Sequence, residues 1–251
     1  PETADWIPEA DTVMIDALIA LGALLAVVGV IGLIRILVRG PFHKARVNLF
    51  WHVTRAFCVI WHKLQWKHAH RVPHEGAVIL AANHTTGLDP FLIQSALPRI
   101  VRWLMTTSYR FRLLEPIWRE IDPICLDLDG RDLSELRELI REIKKGGIVG
   151  LFPEGRLQRD ERGLREFRPG IGLIARRTGA TIVPVWIDGT PRKRNMLWHF
   201  LWPSNSRVTF GEPYVPDKER SNEEIEQDLR AATTFASRMR RAGPRVRNAG
   251  D

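Results

Sequence analysis

Three observations predict an α/β domain carried behind an N-terminal membrane helix. From Arg71 onward, short apolar runs alternate with stretches of helical periodicity, the pattern of an α/β fold. Ahead of that domain, Ala17–Ile34 are 18 consecutive uncharged and almost wholly apolar residues. Charge is also sorted along the chain: residues 1–34 hold five acids and no Lys or Arg, whereas residues 35–74 hold eight bases and no acid. The net charge of +8 over 251 residues, with 26% charged and 45% hydrophobic residues, belongs to a folded chain and argues against global disorder. That length suits one large domain or two small ones. The two cysteines, Cys58 and Cys125, are too few for a disulfide scaffold and lack CxxC spacing, which excludes a Cys-rich secreted module and a structural zinc protein.

Residues 1–40 read as a membrane anchor. A helix over Ala17–Ile34, extended past Arg35 by Ile36–Val38, spans about 30 Å at about 1.5 Å per residue, the thickness of a bilayer core. The residues before it are acidic and Arg35 and Arg39 follow it, the reverse of a cleaved signal peptide. It also lacks the polar face of a core helix. The bases that follow are retained on the cytoplasmic side, which predicts the N-terminus outside and the bulk of the chain inside.

Residues 41–72 read as a basic amphipathic interfacial helix. Over 46–67, Leu49, Phe50, Val53, Phe57, Ile60, Trp61 and Leu64 recur at helical spacing. Trp51, Trp61 and Trp66 lie among His and Lys, as suits headgroup level on anionic lipid. The same pattern serves a helix packed on a globular core with its basic face in water. The adjacent membrane helix favours the interface.

Residues 73–251 read as the α/β domain. Predicted strands are Ala77–Ala82, Val101–Met105, Ile124–Leu126, Ile148–Phe152, Ile182–Ile187 and Val208–Phe210. Predicted helices cover 89–97, 131–145, 167–178 and 222–241, the last opened by a capping box of Ser221 and Glu224. Pro184 marks an edge, an irregular bend or a strand end.

Two loops carry chemistry-bearing residues. His84 and Asp89 lie between a strand and a helix, at the sheet edge where α/β proteins place ligands. Five residues apart on a helix they would diverge by about 140°, so they meet only across a turn, which Gly87 eases. If they meet, Asp89 holds one imidazole nitrogen while the other acts as a base. The alternative is a structural His beside an N-capping Asp. The second loop, Phe152-Pro153-Glu154-Gly155-Arg156, again ends an apolar run. An Arg there suits a phosphate or carboxylate, and Glu154 could orient it or accept a substrate hydroxyl. Further along, Phe167-Arg168-Pro169-Gly170 and the cations Arg159, Arg162 and Arg165 could line an anionic groove.

In order and spacing these segments resemble the boxes of the glycerophospholipid acyltransferase family. His84–Asp89 is similar to its HxxxxD box and Phe152–Gly155 to its FPEG box. Phe167–Gly170 resembles its FKxG segment with Arg168 in place of Lys, and Val183–Val185 its VPV segment. The resemblance implies an α/β fold with a mixed sheet flanked by helices. It implies transfer of a fatty acyl group from acyl-CoA or acyl-carrier protein to a glycerophosphate lipid, foremost 1-acyl-sn-glycerol 3-phosphate. His84 and Asp89 would be catalytic, and Glu154, Gly155, Arg156 and Arg168 would bind the acceptor's phosphate side. No metal or cofactor is implied. Arg156 follows Gly155 directly, where many lysophosphatidate acyltransferases insert Thr. Glycerol 3-phosphate or a lysophospholipid with a headgroup is therefore the alternative acceptor.

Other classes have less in the sequence. No GxSxG elbow, Walker loop or GxGxxG appears, so a hydrolase nucleophile is missing and direct attack is expected over an acyl-enzyme. The basic balance follows a membrane segment and carries no nucleic-acid motif, so anionic membrane lipid is the expected partner and nucleic acid is not. A non-catalytic tether would have no need of His84, Asp89, Glu154 and Arg156 together. An acyl-chain groove is expected beside residues 89–115.

Overall fold

The fold was described from a computed structural model of residues 9–106, 115–126, 134–158, 164–168, 170–191, 196–217 and 219–239. The chain divides into two compact units, Pro1–His52 and Val53–Asp251.

In the first unit, helix α1 (Glu9–Val38) contains one stretch, Val13–Val38, long and apolar enough to cross a membrane. Its side chains from Val13 to Ile31 are exposed, as expected of a helix with no protein partner for its apolar surface. A polar turn closes it. The Asn48 amide, almost fully buried, donates to the carbonyls of Val38 and Phe42 and accepts the Phe42 N–H. His52 Nε2 bonds the Arg39 carbonyl at 2.8 Å. Buried polar groups must find such partners.

Helix α2 (Ala45–Ile60) is shorter than the helix read over 46–67. Lys63 adopts a left-handed φ of 43°, which turns the chain, and the Leu64 N–H then bonds the Cys58 carbonyl. Gln65–Lys67 become strand β1 rather than helix. These three residues have no strand pattern of their own; their ladder with β7 makes them a strand.

The second unit holds a seven-stranded sheet in the order β1-β7-β6-β2-β5-β3-β4. Its further strands are β2 (Val78–Ala82), β3 (Val101–Thr106), β4 (Ile124–Leu126), β5 (Ile148–Leu151), β6 (Thr181–Asp188) and β7 (Arg207–Phe210). Every pairing is parallel except β6 with β7, so the sheet is mixed. The helices are α3 (Asp89–Ala96), α4 (Glu115–Ile121), α5 (Ser134–Lys144), α6 (Ile171–Thr178), α7 (Met196–Leu201) and α8 (Asn222–Met239).

Both faces of the sheet are covered, which is why β2 reads as a continuous apolar run. Val78, Leu80 and Ala82 face a core layer with Cys58 of α2 and Leu92 and Ile93 of α3. Ile79 and Ala81 face a layer with Leu139 and Ile143 of α5, Ile174 of α6 and Ile225 and Leu229 of α8. The Ser221–Glu224 capping box opens α8 with both reciprocal bonds in place.

Three expectations shift. Helix α6 begins at Ile171, not 167, because Gly170 has φ 129°, a backbone no helix accepts. The Gly170 and Gly172 N–H groups are capped from a distance by Glu226 Oε1 of α8. Pro184 is not on an edge: β6 lies between β2 and β7. Ile182 exchanges both backbone bonds with Tyr214, and Pro184 shares its parity, so the missing N–H falls between that bridge and the start of the β7 ladder at Val185. Helices α4 and α7 were not foreseen from the sequence. Residues 131–133 and 240–241 of two predicted helices lie outside the described residues, as do Arg159 and Arg162 and residues 107–114 beside the expected acyl groove.

Candidate active site

The site gathers at the carboxyl ends of β6, β2 and β5, three adjacent parallel strands. Asn83 leaves β2 and locks the edge: its amide donates to the Ile187 carbonyl and accepts the Ile187 N–H. His84 follows, then a turn that brings Asp89 back at the start of α3.

His84 and Asp89 do meet. Nδ1 of His84 lies 2.9 Å from Oδ2 of Asp89. Asp89 is fully buried, and four more hydrogen bonds reach it from its own loop. The N–H groups of Thr85 (2.6 Å) and Thr86 (2.9 Å) donate to Oδ2, and their hydroxyls donate to Oδ1. A carboxylate surrounded by donors acts as an acceptor, so the shared proton belongs to Nδ1 and the imidazole is the tautomer with a free lone pair on Nε2. About a fifth of the His84 side chain is open to solvent. This is the base-and-orienter geometry rather than a simple helix cap, because Asp89 bonds residues upstream of its helix.

The ring plane of His84 is also fixed. Phe152, next after β5, stacks on the imidazole with centroids 3.8 Å apart and planes within 11°. Trp103 of β3 stacks on the far side of Phe152 at 5.0 Å. The indole lies flat on Gly150, where a Cβ would come within 2.5 Å of its ring atoms. The FPEG resemblance singled out Phe152 but gave no role to Trp103 or Gly150.

Glu154 is buried at the same edge. Its Oε1 accepts the His84 N–H at 3.2 Å and its Oε2 the Arg165 N–H at 3.3 Å. Burial pushes its carboxyl above the ordinary range, against the pull of these two backbone bonds. Both oxygens therefore tie loops together instead of orienting Arg156. The His84 carbonyl in turn accepts the Gln158 N–H at 2.6 Å.

Gly155 has φ 67°, the left-handed region where a side chain is strained. The Arg168 side chain lies over it, in the space a Cβ would take. Arg168 is held there by its own N–H, which donates to the Pro153 carbonyl at 2.8 Å. Arg168 thus lies against Gly155, and Arg156, the next residue in the chain, is exposed as Arg168 is, so this loop offers two cations to solvent. That arrangement can take a phosphate.

Sequence reasoning missed the third loop, after β6. Thr190 Oγ1 lies 2.8 Å from Thr85 Oγ1. From α7, buried His199 accepts the Gly87 N–H on Nδ1 at 3.3 Å. A lone His in an apolar, aromatic stretch gives no sequence signal for such a contact.

Comparison with solved structures finds the same fold in the 1-acyl-sn-glycerophosphate (LPA) acyltransferase PlsC of Thermotoga maritima. The TM-score is 0.64 at 21% identity, over 80% of this chain and 83% of that one. Residues 63–188, about half of the sequence, match the family model described as Acyltransferase, and the chain belongs to that family of O-acyltransferases.

Proposed function

We propose that the protein transfers a fatty acyl group from a thioester, acyl-CoA or acyl-carrier protein, to a free hydroxyl of a glycerophosphate lipid. The acceptor it suits best is 1-acyl-sn-glycerol 3-phosphate, giving phosphatidate. The observation that carries this reading is the His84–Asp89 pair, 2.9 Å apart at the ends of the central strands, with exposed Arg156 and Arg168, the latter laid over Gly155, following the adjacent strand β5. The acyltransferase family supports the reaction class, and the PlsC fold supports a phosphate-bearing acceptor.

In this mechanism Nε2 of His84 takes the proton of the acceptor hydroxyl as its oxygen attacks the thioester carbonyl. The C–S bond breaks, the new C–O ester forms, and the proton passes from His84 to the departing thiolate. Asp89 holds the tautomer and stabilises the imidazolium. General-base help of this kind is worth about 10²–10⁴ in rate. Thr85 and Thr86 follow His84 in the chain, and both hydroxyls donate to Asp89, which favours direct attack over an acyl-threonine. Gly155, Arg156 and Arg168 take the acceptor phosphate, while Glu154 keeps the two loops in register.

The protein is read as membrane-bound through α1, N-terminus outside and catalytic domain on the cytoplasmic leaflet, because the eight bases of 35–74 follow the apolar run. Protease added outside intact cells should leave residues 75–251 undigested; cleavage there would reverse the orientation. The reaction itself is tested by a panel of donors and acceptors on detergent-solubilised protein with His84→Ala alongside. Loss of transfer by about 10²–10⁴-fold with unchanged circular dichroism is expected. Undiminished transfer by that variant would remove His84 from the mechanism.

A further inference from the structure

Helix α7 was invisible to the sequence reading, and its surroundings are unusual. Trp198, Leu201 and Trp202 stand at helical i, i+3, i+4 spacing, and each leaves about half its surface open (49%, 52% and 50%). The opposite side of the same helix is buried in the site. His199 accepts the Gly87 N–H, and Phe200 packs edge-to-face on Phe91 of α3 at 5.6 Å.

This exposed face is not isolated. Trp61, at the end of α2, donates its indole N–H to the Leu201 carbonyl at 3.2 Å. His62 shares a 2.8 Å hydrogen bond with Ser204, and the Ser206 N–H bonds the His62 carbonyl. The apolar face of α2 therefore continues into that of α7, with Phe57, Ile60 and Trp61 exposed on one side of the junction. Charge says what covers it. The sequence has no Asp or Glu between Asp188 and Glu212 but four bases there: Arg192, Lys193, Arg194 and Arg207. Residues 35–74 are likewise free of acids. The two segments meet at Trp61–Leu201 and His62–Ser204, and each exposes tryptophan at that junction. Indoles flanked by cations belong at the headgroup level of an anionic bilayer, whereas a protein interface core is depleted of Lys.

We propose that α7 is a second membrane-docking element, whose Trp198 and Trp202 enter the headgroup layer of an anionic bilayer and hold the His84 loop at its surface. The inference rests on the reading of the protein as a membrane-surface acyltransferase and adds a mechanical link to it. A lipid acceptor has its hydroxyl at headgroup level, and α7 ties that level to Gly87 in the turn between the catalytic base and its carboxylate.

The test uses the full chain in liposomes of mixed phosphatidylglycerol and phosphatidylcholine. A fluorophore is attached at Trp202→Cys in a Cys125→Ser background, Cys58 being fully buried. Lipids brominated near the headgroup should quench it, with a blue-shifted emission. An unquenched label would overturn the proposal, and would do so whether or not the protein proves to be an acyltransferase. In parallel, Trp198→Ser/Trp202→Ser should lower kcat/KM about tenfold for a long-chain acceptor embedded in the bilayer. Turnover of a short-chain acceptor dispersed in water should stay within twofold, which also reports a folded enzyme. Equal losses on both acceptors would assign the tryptophans to the fold and overturn the docking role. If the unsubstituted chain acylates neither acceptor, the reaction reading fails while the quenching arm still decides the membrane contact.

Discussion

Asp89 is fully buried and takes five hydrogen bonds from three residues of its own loop, whereas Arg156 and Arg168 stand at the neighbouring loop with their side chains in solvent. In the proposed mechanism the two halves of the site have different tasks. A general base must be held in one tautomer and one orientation before substrate arrives, and this costs the protein a buried charge with every lone pair occupied. A phosphate brings its own charge and its own acceptors, so the cations that meet it can wait in water until it does. Rigidity is concentrated where the proton moves.

The sharpest way to break this contrast is Asp89→Asn. The amide keeps one acceptor oxygen but turns an NH2 group towards the two or three donors on its other side, so kcat should fall by about 10²–10⁴ and stability by about 2–4 kcal/mol, read by turnover and by denaturant melts. If only turnover fell, the carboxylate would be catalytic without being structural. Arg156→Ala is the counterpart. It should raise the acceptor KM about 10- to 100-fold, the worth of one charge-assisted hydrogen bond, with kcat and melting temperature little changed. An unchanged KM would move the phosphate site away from Arg156, and Arg168→Ala would then identify which guanidinium carries it. The smallest effect is expected from Gly150→Ala. The added Cβ pushes on the Trp103 ring, costs about 1–3 kcal/mol, and tilts the stack of Trp103 and Phe152 that supports His84. A loss of kcat greater than the loss of acceptor binding would show that the stack positions the base.

The same contrast explains what could be read in advance. His84 and Asp89 are separated by one turn, so their meeting depends on local chain geometry and on glycine, both visible in a sequence. Glu154 was read as a ligand for Arg156 or for a substrate hydroxyl, yet it binds backbone 70 residues upstream and 11 downstream. Nothing in Phe-Pro-Glu-Gly-Arg states which distant N–H groups will face that carboxylate. His199 and Trp103 were missed for the same reason: the first acts across 112 residues and the second across 49, as contacts between loops or strands rather than as motifs.

By itself the sequence determined the apolar helix, the six apolar strands of the second unit, the capping box of α8 and the placement of His84 and Asp89 at a strand end. These follow from hydrophobic periodicity and local hydrogen bonding, which act between residues a few positions apart. Only the tertiary structure decided that helix α2 stops at Ile60, that Gln65–Lys67 join the sheet, that β7 runs against β6, and that α7 carries aromatic residues beside the site. Those features exist because backbone groups and rings far apart in the chain find partners once the sheet is assembled. A three-residue strand without an apolar run, such as Gln65–Lys67, or a six-residue helix has too few contacts of its own to announce itself.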